Sequence, residues 1–200
     1  NSNAMSMDFG LIDNRKDPLA FINPDMYRVE RKQRRCAIDY YEAAPKASLE
    51  AKLGEYDGST QRTTAPLCGE IMQDVSNSLQ GNWFKPGSSS SEPEDPHLAF
   101  VKHNVTPTAN GWISAGKESG VDGSSAVKLA FAFEGTGNRN PQFTAVGPGS
   151  TVYCYDAPLY ESFHVLVQLT NSNLVKVEHK NGANCGAGPW SLTSPVEFNR

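Results

Sequence analysis

The residues of this 200-residue chain with most chemistry to offer are four histidines, four cysteines and a scatter of carboxylates. His97 and His103 stand six apart in the extended-looking run HLAFVKH, so both project to one face with Ala99 and Val101 between them. At about 3.3 Å per residue their backbones are roughly 20 Å apart, too far to share a metal ion. His164 and His179 fall on neighbouring predicted strands and approach each other if the register allows. Spacing supplies no third or fourth ligand, so the histidines read as surface or hydrogen-bonded structural groups, and no metal or other cofactor is expected. Asp156 and Glu161 in YDAPLYESF are candidates for a paired-carboxylate site. The commoner role for such an Asp is to accept local backbone N–H groups in a turn. Glu92, Glu94 and Asp95 lack the spaced oxygen ligands of a calcium loop and read as a solvated acidic loop.

Several large enzyme classes leave no trace. The chain has no G-x-S-x-G elbow, no H-E-x-x-H, no G-x-x-x-x-G-K, and no third glycine of a dinucleotide motif after Gly135-Thr136-Gly137. What it does have is a set of aromatic residues, Trp83, Phe84, Trp112, Tyr153, Tyr155, Tyr160 and Trp190, of which Trp112 and Tyr155 neighbour turns. Aromatic faces stack on sugar C–H groups and apolar rings, although core packing is their usual fate. Trp83, Trp112, Tyr153, Tyr155 and His164 are the candidate ligand-binding set.

Cys36, Cys68, Cys154 and Cys185 are widely spaced and form no C-x-x-C element, so a zinc or redox motif is excluded and all four are expected in disulfides. The stretch NGANCGAGPW around Cys185 precedes SLTSPVEF, which starts no helix, so it is not an anion cradle. It reads as a turn pinned by a disulfide, to Cys154 first and to Cys68 as the alternative. Disulfides suit an oxidising, extracytoplasmic setting: periplasmic, secreted or lipid-anchored at the envelope.

Positioning these groups requires a scaffold. A hydrophobic fraction of 38% with 17 Gly and 13 Pro predicts a turn-rich domain rather than a helical bundle. A formal net charge of -4 gives no electrostatic reason to bind nucleic acid. No run reaches the ~18 apolar residues of a membrane-spanning helix, and no signal-peptide core is present. That last absence does not argue for the cytoplasm, because residues 1–4, with Ser2-Asn3-Ala4, read as the remnant of a purification tag. Residues 5–66 form an N-terminal arm. Its basic run RVERKQRR reads as solvated, and APKASLEAKLG predicts one short packing helix with Pro45 in its first turn and Gly54 just past its end.

Residues 67–200 carry period-two patterns. In AVKLAFAFE, Val127, Leu129, Phe131 and Phe133 point one way, and Ala126, Lys128, Ala130, Ala132 and Glu134 the other. FHVLVQL and LVKVEHK flank Thr170-Asn171-Ser172-Asn173 as a hairpin. HLAFVKH, TVYCYD and VEF complete a mainly β domain, an antiparallel barrel or sandwich. The Gly/Ser/Pro/acid-rich run KPGSSSSEPEDP is the best candidate for a mobile loop.

Gly81-x-Trp83 in LQGNWF resembles the first-strand G-x-W motif of lipocalins, which implies an eight-stranded barrel carrying a small hydrophobic ligand. A lipocalin-like T-D-Y element and late barrel-closing Arg have no clear counterpart. CAIDYYEAAPKASLEAKLG, PLCGEIMQD, LQGNWF and EDPHLAFVKHNV resemble segments of uncharacterised bacterial exported proteins, which implies secretion or lipid anchoring but no activity. The expectation is a non-enzymatic exported domain that binds a small molecule, glycan or envelope protein. The alternatives are a hydrolase-like or metal-dependent enzyme using His97, His103, His164 or the Asp156/Glu161 pair, a structural envelope-interaction protein, and a lipocalin-like carrier.

Overall fold

The computed structural model describes residues 10–200, so the tag remnant at residues 1–4 lies outside the described residues. The arm opens with strand β1 (Gly10–Ile12), helix α1 (Val29–Lys32), strand β2 (Arg34–Cys36) and helix α2 (Ala43–Glu50). Strands β1 and β2 form a small antiparallel ribbon. The body follows as β3 (Gly81–Trp83), β4 (Leu98–Lys102), β5 (Asn110–Ala115), β6 (Val127–Ala132), β7 (Tyr153–Asp156), β8 (Phe163–Asn171), β9 (Leu174–Asn181) and β10 (Val196–Asn199).

These eight strands make two antiparallel meanders, β3-β4-β5-β6 and β10-β9-β8-β7. They are two separate four-stranded sheets packed as a sandwich, so of the two expected architectures the barrel gives way. Period-two alternation drives the packing. Along β6 burial alternates strictly, with Val127, Leu129 and Phe131 inside and Lys128, Ala130 and Ala132 outside. Leu98, Phe100 and Ile113 from the first sheet meet Tyr155, Val165, Val167, Val175, Val177 and Phe198 from the second in one core. At ~25 cal/mol per Å² of apolar surface, this core is the main stabilising term. The β8–β9 hairpin turns through Ser172-Asn173, where the Asn171 side-chain oxygen accepts the Asn173 N–H at 2.8 Å.

Trp83 lies at the end of β3 with no exposure, and its indole N–H donates to the Leu79 carbonyl at 2.9 Å. The Arg200 guanidinium covers its ring at 4.1 Å and donates to the carbonyls of Val75, Ser78 and Gln80. Burial lowers the Arg200 pKa to about 10.

The arm is docked rather than free. Phe21 and Tyr27 stack at 4.0 Å and pack with Met26 on Phe84. The Ile22 N–H donates to the Asp74 carboxylate, and a disulfide joins Cys36 to Cys68. Helix α2 starts two residues before Pro45 and ends at Glu50, earlier than expected; none of its residues is fully buried, and Leu49 and Leu53 are half-buried. The basic run and the acidic loop neutralise each other: Glu92 pairs with both Arg28 and Arg31, and Glu94 with Arg31. The solvated basic face of the sequence reading is therefore half tied to the wall of the body.

Candidate functional site

The site is built on the outer face of the β3–β6 sheet. Register places Trp112 opposite Val101 on one side and Ala130 on the other, and Ser114 opposite Ala99 and Lys128. All of these side chains share one face, because paired residues in an antiparallel sheet point the same way. The face is paved with small residues, chiefly Ala99, Ser114, Ala126, Ala130 and Ala132, where strands facing water usually carry longer polar side chains. Small side chains leave room, and the loops on either side rise above them.

At one end a cleft of about 760 Å³ opens around Trp112, Ala130 and Ala132. Trp112 is 36% exposed, and the His103 ring stacks on it at 5.9 Å with 24° between planes. Three contacts orient that histidine: Nδ1 accepts the N–H groups of Val105 and Thr106, and pairs with the Thr106 hydroxyl at 3.0 Å. The far wall is the loop after β7, whose Leu159 and Tyr160 are 87% and 84% exposed. Arg139 spans the floor between Glu134 and Asp156. Glu55 and Thr60 come from the arm, and Glu161 from the β7–β8 loop.

The paired-carboxylate reading can be tested on this geometry. Asp156 is 1% exposed and both its oxygens are engaged: Oδ1 accepts from Arg139 and Asn140, and Oδ2 from Arg139 and the Cys185 N–H at 2.7 Å. A carboxylate so engaged locks loops together and has no lone pair directed at a substrate. Glu161 lines the same cleft without that partner as a free acid–base companion.

A second cleft of about 590 Å³ lies at the other end of the same face, between Ala126, Lys128 and Ser114 and a wall made of Tyr27, Arg31 and residues of the 91–97 segment. Gly116 lets that wall approach: a side chain there would meet the Asp95 backbone carbonyl oxygen within 2.2 Å. His97 braces the wall, its Nδ1 accepting the Lys85 N–H and its Nε2 sitting 3.0 Å from the Ser90 carbonyl. Burial lowers the His97 pKa. The hydroxyls of Tyr27 and Ser91 are buried with no hydrogen-bond partner.

Of the five residues expected to bind ligand, only Trp112 stands in a cleft. Trp83 and Tyr155 are core residues with no exposure, and Tyr153 packs half-buried against the core. Burial raises the Tyr155 hydroxyl pKa, as befits a ring with no water beside it. His164 sits on the outer face of the other sheet with Nδ1 2.8 Å from the Gly182 carbonyl. His179 pairs in register with Val165 and His164 with Lys180, so the two histidines point to opposite faces and do not meet. Among the described residues no group of three or more His, Cys, Asp or Glu side chains is arranged to hold a metal ion. Tyr160, of the aromatic residues noted in the sequence, also lines the Trp112 cleft, as does Phe131, while Trp190 and Phe84 are packed elsewhere.

Arg139, Glu134, His103 as a ring partner, and Glu55 were not read as one site from the sequence. They come from three separate segments, with only Glu134 and Arg139 sharing the loop between β6 and β7, and no motif spacing connects the three. One signal was present: the outward set in AVKLAFAFE is mostly alanine, an unusual choice for a wet strand face.

Cys154 and Cys185 form a disulfide, as do Cys36 and Cys68, which settles the pairing left open by the sequence. Among the described residues no helix is long and apolar enough to cross a membrane. No protein-family model matches this chain, and no curated protein or solved structure matches it.

Proposed function

We propose that this chain is an exported, non-enzymatic glycan-binding module whose ligand lies in the Trp112 cleft. The observation that carries this reading is a half-exposed tryptophan, braced by His103, on an otherwise small-residue sheet face. Opposite it stands an exposed tyrosine, and around it are fixed carboxylates and a guanidinium. Aromatic faces take the C–H side of a sugar ring, and charged groups held in place take its hydroxyls. Concave, largely preformed sites with a few polar groups are the usual form of small-ligand sites. The engagement of Asp156 by three donors, Arg139, Asn140 and the Cys185 N–H, argues against hydrolysis there. Two disulfides support export to an oxidising compartment.

The test is affinity electrophoresis through gels containing neutral polysaccharides (β-glucan, xylan, mannan, galactan) and, separately, polyuronates. At least one polysaccharide should retard the protein, and Trp112→Ala should abolish the retardation while the protein stays folded. Mobility unaffected by every gel, or retardation unchanged in Trp112→Ala, would end this reading.

A further inference from the structure

The two clefts belong to one face, and their meeting point fixes what kind of glycan fits. On β6, Lys128 lines one cleft and Ala130 the other, two residues apart and both pointing outward. On β5, Ser114 and Trp112 stand in the same relation. From Ala126 to Ala132 the face runs about 20 Å at ~3.3 Å per residue. On β6 the outward residues are Lys128, Ala130 and Ala132, so Lys128, at the edge of the second cleft, is the one long side chain on this strand's outer face.

We infer that these clefts are subsites of one groove that holds an extended, neutral polysaccharide chain, gripped at Trp112 and read again at the Tyr27–Ser91 wall. This rests on the glycan reading of the Trp112 cleft and adds to it the length and charge of the ligand.

Charge decides against an acidic polymer. The two clefts are lined by six carboxylates (Glu55, Glu94, Asp95, Glu134, Asp156 and Glu161) and by three fixed cations, Arg31, Lys128 and Arg139. Arg31 and Arg139 are already committed to carboxylates, so a polyuronate would meet a net negative groove. A hydroxyl-rich neutral chain suits the carboxylates other than the fully engaged Asp156 as acceptors.

The second subsite has its own observation. Tyr27 and Ser91 are each 8% exposed, line this cleft, and carry hydroxyls without a partner. A buried hydroxyl without a partner destabilises the free protein, whereas a ligand oxygen supplies the missing bond. Ser91→Ala should therefore raise or leave unchanged the melting temperature of the free protein and weaken binding of a long oligosaccharide. A hydroxyl with a purely structural role does not give that pair of effects.

The experiment titrates the full chain, by calorimetry, with a ladder of oligosaccharides from disaccharide to hexasaccharide. They are cut from whichever neutral polysaccharide of the gel panel retards it. The hexasaccharide should bind about tenfold or more tightly than the disaccharide, a gain of ~1.4 kcal/mol. Ala126→Trp, which fills the second cleft from an exposed position, should erase that gain and leave disaccharide affinity unchanged. Ser91→Ala should reduce it. Affinity independent of length, with Ala126→Trp silent, overturns the extended groove and leaves the glycan reading standing. A protein retarded by no polysaccharide overturns both, and one retarded only by polyuronates overturns the charge argument.

Discussion

The outer face of the β7–β10 sheet is roofed by the chain's own residues 182–195, whereas the outer face of the β3–β6 sheet is left to small side chains between two clefts. On the roofed side Leu166, Cys154 and Cys185 are buried together under Trp190 and Leu192. The roof is anchored by polar groups that are all engaged. Glu178 accepts from Lys180, from the Thr193 hydroxyl and N–H, and from the Ser194 N–H. The Trp190 indole N–H donates to the Cys185 carbonyl at 2.7 Å. On the open side a tryptophan stays 36% exposed and two buried hydroxyls lack partners. Both sheets have four strands and the same alternation. A sheet needs only one apolar face to fold, so the other is free either to be sealed or to be used. On the unsealed face Trp112 stays exposed and the Tyr27 and Ser91 hydroxyls go without a partner.

The largest break of this contrast is to open the roof. The disulfide Cys154–Cys185 closes a loop with a sequence separation of 31 residues. Replacing both cysteines by serine should cost about 3–4 kcal/mol by the chain-entropy account. For a chain of this size that lowers the melting temperature on the order of 10 °C, read by calorimetry or circular dichroism. Retardation by polysaccharide at a temperature where the variant is folded should change little, because no residue of the roof lines either cleft and the one bond that links them, from the Cys185 N–H to Asp156, is made by backbone that serine keeps. A parallel loss of binding would mean the two faces are not independent.

How much of this contrast could be read from residues alone varies by element. The alternation in AVKLAFAFE and the hairpin between FHVLVQL and LVKVEHK were legible because their inward residues are large and apolar. β5 was not singled out as a strand: its inward residues include Gly111 and Ala115, while its largest side chain, Trp112, points outward. Gly111 is small because a side chain there would meet the Phe133 ring within 2.6 Å. The pinned turn at Cys185 was legible from its cysteine, glycines and proline. The β1–β2 ribbon, only three residues per strand, leaves no periodic trace. Trp83 and Tyr155 were flagged by residue type, yet type does not report facing. Period two in TVYCYD puts Tyr155 opposite Cys154, and only the sheet partner shows which of the two faces inward.

Acid should separate the faces next. Burial opposes the charge on Glu178, but hydrogen bonds from Lys180, Thr193 and Ser194 outweigh it and hold its pKa at about 2, against 4.5 for an ordinary Glu. A depressed carboxylate pKa contributes stability that is present in full above 4.5 and is lost as pH falls from 4.5 to about 2. The loss is on the order of 2–3 kcal/mol. In Glu178→Gln this segment of the stability–pH curve should flatten. His97, whose pKa burial lowers from 6.5, acts on the other side of the molecule and at higher pH. Its neutral form is the one the fold favours, so stability begins to fall as pH drops through 6.5. Chemical denaturation at pH 7.5, 5 and 3 separates the two losses, and a Glu178→Gln curve parallel to the parent between pH 5 and 3 would refute the assignment.

The smallest effect on stability is expected where the effect on function is greatest. Trp112→Ala removes the largest side chain of the open face, and a tryptophan lost from a core costs about 3–5 kcal/mol. Trp112 is not in that position. It lies in an open cleft, 36% exposed, with the His103 ring stacked on one side. Its removal leaves a wider cleft that water fills, rather than a dry cavity, so the transfer term is partial and the cavity term is absent. The free protein should lose about 1 kcal/mol or less in denaturant unfolding, with an unchanged slope. A loss of 3 kcal/mol or more would place Trp112 among the sealing residues. The open face would then be a second structural surface whose covering segment has yet to be found, and the glycan groove would lose its anchor.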